Sequence, residues 1–145
     1  MPELVVGIDP GLSKCGYAVV TLQGQRMTVE VIPTAALQQR LAHDIGTGSV
    51  GMICVGNSTT SGAVMEMVRR TWPQVAAGFV DETNTTLEAR RLYYEDNPPR
   101  GLLRFVPRGL LVPNAPLDGY AALLIIRRWR ERGSTGDTGP GRPRV

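Results

Sequence analysis

Leu4-Val5-Val6-Gly7-Ile8-Asp9-Pro10-Gly11 is an apolar run that ends in a single carboxylate, with a glycine turn directly behind it. Aliphatic residues interrupted only by Gly7 and closed by a turn signal predict a buried strand. A carboxylate at the mouth of such a strand is costly to desolvate unless a cation, a backbone donor or a basic side chain lies beside it. Asp9 is therefore the first candidate site residue, and the rest of the chain is expected to bring partners to the end of this strand.

Working outward, residues 15–22 read as a second strand. Gly24 marks a tight turn, and residues 26–32 alternate polar and apolar as a third strand should. These three strands form an antiparallel meander. Residues 33–45 carry Ala36, Leu37, Leu41 and Ile45 at helical spacing, before Gly46 and Gly48. Residues 50–55 are a compact apolar run, the mark of a central buried strand. A polar loop over 56–62 opens a helix over 63–72, with Met65, Val68 and Trp72 as its stripe and Pro73 as its stop. Residues 76–80 predict a fifth strand ending at Asp81-Glu82. Thr85-Thr86-Leu87-Glu88 has the form of a capping box for a helix to about residue 95. Residues 100–112 read as a loop with a short helical turn. The last helix is expected over 113–132, with Pro116 in its first turn. Residues 133–145, rich in glycine and proline, predict a disordered tail after a single domain over 1–132. Strand-helix alternation in the second half argues for parallel strands. The expected fold is α/β: a mixed five-stranded sheet, its first three strands antiparallel and the others parallel, with helices on both faces.

Composition narrows the class. The chain has 145 residues, 42% apolar and 20% charged, as in a globular domain with one core. No apolar run approaches the roughly 20 residues of a membrane span, and the N-terminus lacks the pattern of a signal peptide. No membrane association and a cytoplasmic location are expected. Cys15 and Cys54 sit in strand-like runs with no ligand-spaced partner, so both should be free, buried thiols. His43, the single histidine, falls in a polar helical stretch and should be solvated. The net charge is +3, and Lys14 is the sole lysine. Seven arginines against Asp118 and Glu131 lie between residues 100 and 132. Such a run is either a solvated surface or a track for a polyphosphate backbone.

The first, fourth and fifth strands, run parallel, would share one rim at their C-terminal ends. That is where ligands bind in open α/β sheets. Asp9 ends the first strand, and Asp81 and Glu82 end the fifth. In the last helix, Asp118, Ala121, Ala122, Ile125 and Trp129 fall on one face. That face should pack on the sheet and turn Asp118 inward, with the small Ala121 and Ala122 allowing close approach. Read singly, each acid is a cap or an ion-pair partner. Together, three converging carboxylates repel one another unless a hard divalent cation, Mg²⁺ or Mn²⁺, lies between them. Two such ions can activate water against a phosphodiester.

These residues resemble a known family. Gly7-Ile8-Asp9-Pro10-Gly11 with Gly16-Tyr17 is similar to the opening of the RuvC Holliday junction resolvases. Asp81-Glu82-x-x-Thr85-Thr86-x-Glu88-Ala89 and Asp118-x-x-Ala121-Ala122 resemble segments of the related YqgF (RuvX) family. The resemblance covers most of residues 4–130. It implies an RNase H-like fold and a metal-dependent nuclease with Asp9, Glu82 and Asp118 as catalytic residues and ligands of Mg²⁺ or Mn²⁺. It further implies a nucleic-acid partner, either small-subunit ribosomal RNA precursor or branched or single-stranded DNA. Thr83 and Asn84 replace an arginine and an apolar residue of the YqgF pattern, and the loop over 55–62 also departs from it. Lys14, Ser58, Thr59, Thr60, Arg90, Arg91, Arg104 and Arg108 are candidates for holding phosphates. The apolar-basic segment 102–111 is a candidate surface for pairing with a second copy as a homodimer. A nucleic-acid-binding module without catalysis is the rival reading. An ATP-binding domain of the actin and sugar-kinase type is a further one, but it needs two such domains and 145 residues give one.

Overall fold

The computed structural model describes residues 3–81, 85–98, 101, 105 and 117–134, with the side chains of 85–87, 133 and 134 left out. Strands β1 (Glu3–Asp9), β2 (Lys14–Thr21) and β3 (Arg26–Pro33) form the expected meander. A 3₁₀ turn (Thr34–Ala36) leads into α1 (Leu37–Thr47), followed by β4 (Ser49–Gly56), α2 (Ser61–Thr71) and β5 (Ala77–Val80). Helices α3 (Thr85–Asp96) and α4 (Asp118–Ser134) complete the domain.

The sheet order is β3-β2-β1-β4-β5. Strand β1 lies at its centre, antiparallel to β2 and parallel to β4, and β4 is parallel to β5. Side-chain alternation divides the sheet into two cores. Val5, Ala18, Val20, Met52, Cys54 and Val80 face α3 and α4, where Ala89, Leu92, Ala122, Ile125, Ile126 and Trp129 are buried. Val6, Ile8, Cys15, Tyr17, Val19, Ile53 and Val55 face α1 and α2, against Leu37, Leu41, Val64, Met65 and Val68. Helices therefore cover both faces. Both cysteines are free and buried, and burial pushes the Cys54 thiol up from its ordinary value. His43 is exposed. Among the described residues no helix is long and apolar enough to cross a membrane.

The α1 face is tied down by one polar cluster. The fully buried Tyr17 donates its hydroxyl to Asp44 Oδ2 at 2.5 Å. The Arg40 guanidinium lies 4.9 Å from the Tyr17 ring centroid, donates to Asp44 at 3.3 Å and pairs with Glu30. Desolvation by burial and the hydrogen bond to Asp44 drive the Tyr17 phenol well above its ordinary value, which keeps it a donor. Desolvation opposes the charge on Arg40, but its bonds to Glu30 and Asp44 more than offset this and raise its pKa.

The α4 face is set by glycine. A Cβ at Gly7 would run into the carbonyl oxygen of Ala122 and the side chain of Ile126. One at Gly16 would overlap the carbonyl oxygen of Asp118, and one at Gly119 would come within 2.9 Å of the Glu30 carbonyl oxygen. Backbone thus rests on backbone where α4 crosses β1, β2 and β3. Ala122 contributes as expected, but the missing side chains on the strands matter as much as the small ones on the helix.

Several boundaries differ from expectation, and α1 runs through Gly46 to Thr47, past the expected end at 45. Helix α4 begins at Asp118, not within 113–116, because the amide of Ala121 bonding to the Leu117 carbonyl closes its first turn. Pro116, placed above in that first turn, lies outside the described residues. The helix also runs through Ser134, past the expected boundary at 132, and residues 135–145 of the expected tail lie outside the described residues. Helix α2 starts two residues early, because Ser61 Oγ accepts from the Ser58 amide at 2.9 Å and donates to the Ser58 carbonyl at 2.5 Å. The side chain of Thr85 in the expected capping box is also outside the described residues. Glu88, its expected partner, pairs with Arg128 at 3.3 Å.

Gly7→Ala is expected to lower unfolding stability by about 1–3 kcal/mol through forced overpacking of α4. Gly46→Ala, whose added methyl meets nothing within 4 Å in α1, should raise stability by up to ~1 kcal/mol. Urea unfolding followed by circular dichroism compares the two.

Candidate functional site

Ile8 lies level with Val55, and Val55 with Phe79, so the three parallel strands end together. The Asn57 amide donates to the Val80 carbonyl at 2.9 Å and holds the β4 and β5 ends level. One residue beyond this line stand Asp9 on β1 and Gly56 on β4, with Val80 on β5 and Asp81 next in sequence. Asp9 and Asp81 are therefore delivered to the same rim, with β4 between their strands and roughly 10 Å between the outer two at ordinary strand spacing.

Asp9 shares a face with Val5 and Gly7, the face covered by α4, and pairs across the ladder with Gly16 of β2. A Cβ at Gly16 would lie 3.1 Å from the Asp9 Cβ and against the Asp118 backbone. The missing side chain of Gly16 thus leaves a notch that the Asp118 carbonyl occupies, beside the Asp9 Cβ. Asp118 is the first residue of α4, where the helix dipole favours a carboxylate. Its side chain is 35% exposed, and Lys14 Nζ lies 3.7 Å from its Oδ2. The turn leading to Lys14 is braced from the 3₁₀ turn: Thr34 Oγ1 donates to the Gly11 carbonyl at 2.8 Å, and the Thr34 amide to the Ser13 carbonyl at 3.0 Å.

The third expected acid, Glu82, lies outside the described residues. Its neighbour Asp81 is held by α4: Arg128 Nη1 donates to the Asp81 carbonyl at 2.8 Å and Nη2 to Glu88 Oε2 at 3.3 Å. Among the described residues no three of His, Cys, Asp and Glu come close enough to hold an ion. The structure therefore shows the pair Asp9 and Asp118, and the strand end that precedes Glu82.

The expected phosphate contacts divide. Lys14 and the loop of Ser58, Thr59 and Thr60, which follows Gly56, share the rim with the acids. Ser58 and Thr60 hydroxyls lie 3.4 Å apart and Thr59 is exposed. Arg90 is half-buried, and its buried Nε has no partner among the described residues. Arg91 lines a cleft between α3 and α4 with Glu88, Glu95, Arg127, Arg128 and Glu131, where acids and bases balance. Arg104, Arg108 and most of the segment 102–111 lie outside the described residues, and Phe105 within that segment is 72% exposed. Sequence reasoning missed Arg128 and Thr34. Arg128 sits in an arginine-rich helix end that looks like ordinary solvated surface, and Thr34 sits beyond a strand end with no motif around it.

The chain superimposes on a Thermus thermophilus RuvC structure with a TM-score of 0.58 at 16% identity, over 92% of this chain and 97% of that one. It superimposes on T. thermophilus RuvC in complex with Holliday junction substrate with a TM-score of 0.54 at 15% identity, over 91% and 97%. The fold is RNase H-like. No protein-family model matches the sequence, and no curated protein does. In this RNase H-like domain the Asp9 notch lies at the C-terminal end of the central strand, roofed by the first turn of α4.

Arg128→Met removes both donors that fasten the Asp81 segment to α4. It should lower stability by about 1–3 kcal/mol and speed amide hydrogen exchange around Asp81 and Glu88, whereas Arg127→Met, at an exposed position, should leave both unchanged. Hydrogen-exchange mass spectrometry checks this.

Proposed function

We propose that this chain is a divalent-metal-dependent nuclease of the YqgF (RuvX) type that hydrolyses phosphodiester bonds of nucleic acid. The observation that carries the proposal is the seating of Asp9 and Asp118 on either side of Gly16 at the strand rim. Two acids on separate elements, one from the central strand and one from a helix start, are seated beside the same glycine. A cationic side chain is already drawn to one of them. Hard carboxylate oxygens in this arrangement fit Mg²⁺ or Mn²⁺.

Asp9, Glu82 and Asp118 would hold the metal. When bound, the metal supplies an activated water and charge compensation for the leaving oxygen of the phosphodiester. Asp9, from the central strand of the sheet, sets the position of the site, and Asp118 closes it from the helix side. Arg128 positions the strand end that leads to Glu82 by holding the Asp81 carbonyl. Lys14 and the hydroxyls of Ser58, Thr59 and Thr60 line the rim where a phosphate backbone would pass. Arg90, Arg91, Arg104 and Arg108 are proposed as further phosphate contacts.

Small-subunit ribosomal RNA precursor is the substrate favoured by the motifs over 81–89 and 118–122. A second reading, cleavage of branched DNA, draws on the structural likeness to RuvC in complex with a Holliday junction.

Cleavage of labelled single-stranded RNA, single-stranded DNA and a four-way junction with Mn²⁺ tests the proposal and separates the substrates. Asp9→Asn and Asp118→Asn should each lower the rate by ~10²-fold or more, on the scale of losing one transition-state charge partner, and chelation of the metal should stop cleavage. Wild-type rates from Asp9→Asn would remove the metal role of that residue. Salt-dependent binding without cleavage under any metal would point to a binding module instead.

A further inference from the structure

Lys14 is the sole lysine in a chain whose other strongly basic residues are all arginine, and it stands beside the acid pair. Its backbone is fixed. It opens β2 opposite Pro33, and Thr34 braces the preceding turn through the Gly11 and Ser13 carbonyls. Its side chain is 56% exposed and reaches Asp118 Oδ2 at 3.7 Å, a distance of attraction without a tight hydrogen bond. An ammonium has no acceptor and cannot join a cation's ligand set. Lys14 and a divalent cation therefore compete for the same carboxylate.

Resting on the reading of Asp118 as a metal ligand, we propose that Lys14 is an exchangeable counter-ion. In the metal-free chain it neutralises Asp118; a divalent cation displaces it, and the released ammonium becomes a phosphate contact at the same rim. The residue type suits such an exchange. Arginine would grip the carboxylate through a two-pronged fork, whereas lysine is a mobile point charge on a flexible stem. The exposed pair is weak, worth up to roughly fivefold in a binding constant. That is strong enough to lower cation affinity and weak enough to yield to the ion. The pinned backbone keeps the ammonium near the rim after release, so cation and nucleic acid should bind cooperatively through this residue.

Titration calorimetry with Mn²⁺ alone, at low ionic strength, tests the exchange. Lys14→Met and Lys14→Gln should each bind Mn²⁺ roughly 2- to 5-fold more tightly than wild type. The gain should vanish in an Asp118→Asn background and shrink at high salt. Lys14→Arg should bind Mn²⁺ no more tightly than wild type. The metal-free variants should melt no more than about 4 °C below wild type, since the pair is exposed and weak. With Ca²⁺ present to limit cleavage, both neutral variants should bind a labelled single-stranded RNA more weakly, with a salt slope reduced by about 1. Unchanged or weaker Mn²⁺ binding by both neutral variants, with wild-type binding intact, overturns the exchange and leaves the nuclease proposal standing. Absence of Mn²⁺ binding by wild type and variants alike overturns both.

Discussion

The first turn of α4 lies against the sheet at backbone distance, and the site depends on that contact. Gly16 makes room for the Asp118 carbonyl, Gly7 for the Ala122 carbonyl, and Gly119 in turn clears the Glu30 backbone. A side chain at Gly16 would push the helix start away from β2 and open the gap between Asp118 and Asp9. Helix–sheet packing is ordinarily set by side-chain size, as it is further along α4 where Ile125, Ile126 and Trp129 are buried. At the rim, that spacing is replaced by direct backbone contact. The Asp118 backbone is thereby seated beside Asp9 at the rim.

Charge is arranged around this rim in a graded way. Lys14 faces Asp118 from the start of β2, and Arg128 holds the Asp81 carbonyl and Glu88 from α4. Arg128 is well covered and makes two hydrogen bonds, which suits a fixed strut. Lys14 is exposed and makes one long contact, which suits an ion that can leave. On the opposite face, Tyr17, Arg40, Asp44 and Glu30 form a closed cluster with every charge answered. That cluster fastens α1 to β2 and β3, and so steadies from behind the strand that carries Gly16.

Much of this was legible in the sequence. Val5, Val6 and Ile8 around Asp9 announced a buried strand with a charged end. The alternation of strand and helix after residue 50 gave the parallel half of the sheet, and the observed order and pairing agree with it. The i, i+4, i+7 pattern of α4 predicted the burial of Ala122, Ile125 and Trp129. The start of α4 was not legible, because Pro116 is as compatible with a first helical turn as with the residues before one. Nor was the work of Gly16: a glycine in a strand signals close approach but not what approaches. The partners of Arg128 and Thr34 depend on elements far apart in the chain, and no local pattern encodes them. Charge alone does not say where a basic side chain ends up: Lys14 reaches the rim, while Arg91 joins a balanced cluster between α3 and α4.

The central claim is that Asp9 and Asp118 share a divalent cation. Anomalous diffraction from crystals soaked in Mn²⁺ tests it most directly. The account predicts a manganese peak in the notch beside Gly16, within coordination distance of both carboxylates. A notch without a peak, in crystals of protein that cuts nucleic acid with Mn²⁺ in solution, would contradict it.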